Sequence, residues 1–192
     1  MDTSKWIVVR IDGKIEAISD EYNQLATISA RLAKEPKQKH LEITARAVDF
    51  EEVWKLRQNA FWEDLMLFGT DFQKNVWRKL WDLTHSTESA VSKAKLICYS
   101  DFAELCQNRA GVRAVAHAIG LNPVSVIIPC HLVIPKESID RIREIRRKAE
   151  STIFKGDDLC MESILNDPVV DFGEYALGKT LKRKIIIREL SE

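Results

Sequence analysis

The sequence predicts an α+β protein in two parts, a small N-terminal α/β unit over residues 1–66 and a mainly helical part over residues 67–192. Three observations predict it. Two apolar segments flank Asp12-Gly13, a dipeptide that favours a tight hairpin. Apolar residues recur at helical spacing from Asp49 onward. Two short helical segments surround the turn Asn108-Arg109-Ala110-Gly111, which is a helix-turn-helix pattern.

Taken in order, Lys5 to Ser19 reads as the hairpin, and Leu41 to Ala45 supplies a third strand after the polar segment Glu35 to His40. Asp49 to Met66 is an expected helix, with Val53, Leu56, Ala60, Phe61 and Leu65 on its buried side. Gly69-Thr70-Asp71 breaks the chain and caps a second helix from Phe72 to Leu83, whose stripe is Phe72, Val76, Trp77, Leu80 and Leu83. Thr84 to Lys95 is polar and reads as a loop. Ser100-Asp101 should cap a helix that buries Phe102, Ala103, Leu105 and Cys106. The next helix, Val112 to Ile119, is stopped by Gly120. Ser138 to Lys155 is a charged amphipathic helix, Gly156 to Asp171 a loop, and Thr180 to Leu190 a final basic helix.

Composition narrows the class. The 192 residues are 45% hydrophobic and 30% charged, as in an ordinary globular protein. Twenty-nine basic residues balance 29 acidic ones, so any binding to nucleic acid must come from a local patch. No apolar run reaches membrane-spanning length, and the N-terminus does not read as a signal peptide. Cys98, Cys106, Cys130 and Cys160 lack the spacing of a zinc site or a disulfide framework. Four reduced thiols, no metal and a cytoplasmic location (nuclear in a eukaryote) are the expectations.

One stretch stands apart. Val124 to Ile134 reads V-S-V-I-I-P-C-H-L-V-I, an apolar strand with Cys130-His131 at its centre. A bland reading makes Cys130 a small core residue and His131 a hydrogen-bonded one. The alternative is a potentially reactive pair that carries a desolvation cost unless it has partners. Upstream, Ala114, Ala116 and Ala118 keep the second helix of the pair slim, and Arg113 projects near its start. Small side chains allow close approach to a groove, and arginine offers a phosphate partner or an intruding planar group.

The motifs in their order resemble the O6-alkylguanine-DNA alkyltransferases, also called methylated-DNA–protein-cysteine methyltransferases. The resemblance covers residues 65 to 192. It opens at Gly69-Thr70-x-Phe72-Gln73-x-x-Val76-Trp77, continues through Tyr99 and Val112-Arg113-Ala114-Val115, and reaches Asn122-Pro123 and Ile127-Ile128-Pro129-Cys130-His131-x-Val133-Ile134. The tail Tyr175-x-x-Gly178-x-x-x-Lys182-x-x-Ile185-Ile186-x-x-Glu189 is similar to the family's ending.

The resemblance implies an RNase H-like N-terminal α/β domain, then a mainly helical DNA-binding domain with a winged-helix-like helix-turn-helix. It implies a protein that flips an alkylated guanine out of double-stranded DNA and takes the alkyl group onto its own cysteine, once and without a cofactor. Cys130 matches the acceptor, His131 the base that acts through a water, and Glu189 the carboxylate that orients it. Asn122 matches the hinge that holds the cysteine turn. Tyr99 matches the residue that crowds the 3′ phosphate and reaches the guanine. Arg113 matches the residue that fills the vacated stack, and Ala114 and Ser100 lie beside the DNA. A monomer with no membrane association is expected.

The chemistry is coherent with these residue types. Displacement at carbon wants a soft thiolate, and a thiol of ordinary pKa, about 8.5, is only a few per cent ionised at neutral pH. The chain departs from the family pattern in four places. Leu132 stands where an arginine follows the histidine, and the stretch before Tyr99 is longer. Asp140 to Asp167 reads as an insertion, and Ala176-Leu177 replace the usual guanine contacts. A lesion-recognition protein of the same fold that does not repair, and a Cys/His hydrolase, are the alternative readings.

Overall fold

Asp12 and Gly13 both take positive φ, 49° and 78°, the backbone of a two-residue hairpin turn. They join β1 (Trp6–Ile11) to β2 (Lys14–Ser19), with Val8 opposite Ile18 and a register shift between Val9 and Arg10. β3 (Ile43–Val48) pairs antiparallel with the other edge of β1, giving the order β2-β1-β3. β1 is therefore central, and nearly all of it is buried. The computed structural model describes residues 6–19, 42–65, 67–85, 96–150, 164, 167–175 and 178–191. Glu35 to His40, most of Thr84 to Lys95, the middle of the expected insertion, Cys160, and Ala176-Leu177 lie outside the described residues.

The chain forms two compact units, Met1–Asp82 with Leu121–Cys130, and Leu83–Gly120 with His131–Glu192. In the first, α1 (Phe50–Asn59) begins at Asp49, whose carboxylate accepts the Glu52 amide at 2.8 Å. The helix is shorter than the expected Asp49 to Met66. Ala60 is already extended, and only a short 3₁₀ turn, Trp62–Asp64, follows. Its buried face is Val53, Trp54 and Arg57, whereas Phe61 is exposed. α2 (Asp71–His85) is capped reciprocally: Thr70 Oγ1 accepts the Gln73 amide, and Gln73 Oε1 accepts the Thr70 amide. Its stripe is Val76, Trp77, Leu80 and Trp81, each worth about 1.5–3 kcal/mol on full burial. Phe72, expected in that stripe, is instead exposed. Gly69 lies against the Trp77 ring so closely that a Cβ there would clash.

Val124 to Ile134 is not one strand. Val124 bridges Ile18 and Ser125 bridges Ile128, but Val126 has φ 74° and breaks the run. A β-branched residue in that region is strained by about 1–3 kcal/mol, so it persists only where its surroundings fix it. Pro129 then removes an amide from any ladder, and Cys130–Leu132 closes a 3₁₀ turn. Every residue from Asn122 to Ile134 is buried, as its hydrophobicity predicts, but the run does not have the period of a strand.

In the second unit, β4 (Ile97–Cys98) leads into α3 (Tyr99–Leu105). Cys98 occupies the cap position, and Ser100, expected to cap, makes no cap bond; its hydroxyl lies 3.0 Å from Cys98 Sγ. Leu105 is exposed rather than buried. After a 3₁₀ turn at Arg109–Gly111, α4 (Val112–Gly120) buries Val115, Ala118 and Ile119. β5 (Val133–Ile134) pairs parallel with β4, Ile97 opposite Val133 and Cys98 opposite Ile134. α5 (Lys136–Glu150) buries Ile139 and Ile142 in a cluster with Cys98, Ile134, Ile164, Phe172 and Ile186. Ser138 and Arg141 of α5 bind the Asp171 backbone and the Asp167 carboxylate. α6 (Lys179–Ser191) ends the chain. No described helix is long and apolar enough to cross a membrane.

Candidate active site

The Cys130 turn is built around one amide. Asn122 Oδ1 accepts the Val124 amide at 3.1 Å. Its Nδ2 donates to the Ile128 carbonyl at 2.9 Å and to Cys130 Sγ at 3.1 Å. Flipping the amide would set oxygen against two acceptors, so the hydrogen bonds fix its orientation. The Cys130 amide also donates to Ile128 O at 2.8 Å, so that one carbonyl anchors both Asn122 and the cysteine. Cys130 is buried, 6% exposed. An N–H aimed at sulfur favours the thiolate over the thiol.

His131 belongs to the second unit, where it is fully buried. Its Nε2 lies 2.8 Å from Glu189 Oε1 on α6, and Glu189 is buried as well. With Glu189 ionised, Nε2 carries the ring hydrogen and Nδ1 is the basic nitrogen. The tail motif supplies a second buried group. Lys182 Nζ donates to the Val133 carbonyl at 2.9 Å, two residues beyond His131. Lys182 and Glu189 are seven residues apart, two helical turns, and so share a face of α6. The sequence marked Lys182 only as part of a motif. Its task as a buried ammonium on a backbone carbonyl shows only in three dimensions.

The helix-turn-helix presents a different surface. Arg113 and Ala114 are exposed in the first turn of α4, with His117 exposed one turn on. Ser100 is exposed, and Tyr99, the first residue of α3, is half-buried. His117 was not singled out from the sequence, although its spacing from Arg113 places both on one face. Leu132, at the position where the resemblance has an arginine, is fully buried. The structure thus joins Asn122 to Cys130 in the first unit and His131 to Glu189 in the second. Among the described residues, no three His, Cys, Asp or Glu side chains converge as a metal site.

Residues 71–150 match the family model for the 6-O-methylguanine DNA methyltransferase DNA-binding domain. That stretch of the chain is similar to the family's DNA-binding domain. The domain takes in α2 through α5, including the Cys130-His131 turn. A probable methylated-DNA–protein-cysteine methyltransferase from Acanthamoeba polyphaga mimivirus is 39% identical over 75 residues, 39% of this chain and 45% of that protein. The inducible enzyme of that name from Bacillus subtilis is 34% identical over 90 residues, 47% of this chain and 46% of its own length. The chain thus spans about half or less of the length of these curated relatives. For the fold as a whole, the O6-methylguanine-DNA methyltransferase structure from Pyrococcus kodakaraensis aligns over 96% of this chain and 91% of that one. The TM-score is 0.52 at 21% identity. The small N-terminal sheet and the mainly helical C-terminal part agree with it.

Proposed function

We propose that the protein is a single-turnover DNA repair alkyltransferase that moves the alkyl group, typically methyl, from the O6 of guanine in double-stranded DNA to Cys130. The observation that carries the reading is the pair of buried hydrogen bonds on consecutive residues. Cys130 Sγ accepts from Asn122, and His131 bonds Glu189 at 2.8 Å. A bland core cysteine needs neither.

In this reading the thiol proton passes through a water to His131 Nδ1, while Glu189 stabilises the imidazolium that forms. The thiolate attacks the alkyl carbon as the C–O6 bond breaks. The bonding pair stays on guanine, which takes up a proton in place of the alkyl group. The product is a thioether with no easy route back, so each molecule acts once and no cofactor takes part. Tyr99 and Arg113 act earlier, Tyr99 crowding the 3′ phosphate and Arg113 filling the stack left by the flipped base, with Ser100 and Ala114 along the DNA. Residues 1–66 form an RNase H-like scaffold domain. Residues 67–192 form the DNA-binding and active-site domain, its helix-turn-helix winged-helix-like. The protein works as a monomer in the compartment that holds the DNA.

The test is transfer itself. Duplex DNA carrying labelled O6-methylguanine should leave one methyl group on the Cys130 peptide by mass spectrometry, and none in Cys130→Ala. Tight lesion binding with no mass change would instead identify a protein that recognises the lesion without repairing it.

A further inference from the structure

Arg57 is an arginine in a core position. It lies on α1, one turn beyond buried Val53, and is itself 6% exposed. Its guanidinium stacks 5.4 Å from the centroid of the Trp54 ring, and its Nη1 donates to the Val126 carbonyl at 2.9 Å. Enclosing a charged donor this far carries a desolvation cost, which the group it binds must justify. That group belongs to the residue with φ 74°.

Val126 sits midway between Asn122 and Cys130. Relaxing it to an ordinary backbone would rotate the following peptide and carry its carbonyl off the guanidinium. The same rotation would move Ile128, whose carbonyl accepts both the Asn122 side chain at 2.9 Å and the Cys130 amide at 2.8 Å. The Ile18 amide, bonded to Pro123 O at 3.0 Å, holds the start of the segment but not its strained middle.

We propose that Arg57 is a positioning residue for alkyl transfer. By pinning the Val126 carbonyl it maintains the left-handed turn that sets Ile128 against Asn122, and so keeps the Asn122 N–H on the Cys130 sulfur. The proposal rests on Cys130 being the alkyl acceptor.

A protein that reacts once separates positioning from folding. The fraction of molecules finally alkylated counts folded protein, while the rate constant reports how well the sulfur is held. In Arg57→Met that fraction should stay near the wild-type value when O6-methylguanine duplex is in excess. The rate constant should fall by about ten- to a hundredfold, the scale of a sub-ångström to ångström displacement. Arg57→Lys should recover part of the rate. Val126→Gly added to Arg57→Met should recover part as well, because glycine takes positive φ without a clamp.

A loss confined to the alkylated fraction, with the rate constant unmoved, would overturn the proposal. So would a Val126→Gly effect that is merely additive. Should Arg57→Met not fold, Arg57→Lys with and without Val126→Gly gives the same reading. Repeating the rates with a small haloacetamide on Cys130 keeps the two ideas apart. A wild-type protein that takes no methyl from DNA would sink the alkyltransferase reading. The haloacetamide rates of wild type and variant would still decide the role of Arg57.

Discussion

The Asn122 to Cys130 turn and helix α4 are equal in length and opposite in construction. In the turn every residue is buried, one amide makes three hydrogen bonds, and a β-branched residue is held at φ 74°. α4 is regular, buries Val115, Ala118 and Ile119, and offers Arg113, Ala114 and His117 to solvent. The difference follows from what each must do. In the proposed function, displacement at carbon tolerates little error in the sulfur's position, so the turn would hold strain in exchange for fixity. In the same proposal α4 lies in a groove, which calls for short side chains in front and a firm apolar seat behind.

The most severe test of that division is Cys130→Ala, which should reduce transferred methyl from one per molecule to none while leaving lesion binding intact, measured by mass spectrometry and a gel-shift titration. Next comes Glu189→Gln. Its carboxylate bond to the buried His131 belongs to a class worth about 1.5–3 kcal/mol, so single-turnover transfer should slow by about ten- to a hundredfold. Binding to duplex DNA should hardly change, and a parallel loss of binding would break the comparison. Arg113→Ala tests the other side. Transfer from duplex should slow by about tenfold or more, since unstacking a base costs a few kcal/mol, whereas reaction with a free benzylguanine-type base should not change. Equal losses on both substrates would place Arg113 in the chemistry instead.

The smallest effect concerns neither region directly. Hydrogen bonds from Arg141 hold the Asp167 carboxyl below its ordinary range. A lowered carboxyl contributes stability that is complete above about pH 4 and fades as pH falls from there through the folded value. Asp167→Asn should therefore flatten the acid side of the stability curve, followed by circular dichroism, without altering transfer at neutral pH. A change in the neutral rate would tie this brace to the site.

Local chemistry made much of this legible. Asp12-Gly13 announced a hairpin because few other dipeptides take two positive φ values cheaply, and Gly120 marked the end of α4. The links Cys130–Asn122 and His131–Glu189 were foreseen because the motifs carried them, not because spacing could: Glu189 is 58 residues from its partner. What escaped notice was conformational. An all-apolar run reads as a strand unless Pro129 and the left-handed Val126 are weighed, and valine gives no sign that it will turn that way. Ser100 looks like a cap because serine usually is one, yet the cap position is Cys98, two residues earlier. Arg57 was invisible because charge predicts exposure, although its place one turn after Val53 was a usable clue.

The two rungs that join β4 to β5 carry a consequence for how such a chain can evolve. Cys98 pairs with Ile134 and Ile97 with Val133, so the start of α3 and the residues after His131 are moored to each other directly. The number of residues leading into β4 is then nearly irrelevant to their alignment. Slipping a rung would turn buried side chains outward. A change in the number of residues ahead of Leu96 would therefore leave this alignment in place, and the stretch before Tyr99 is where the chain is longer than the pattern it resembles.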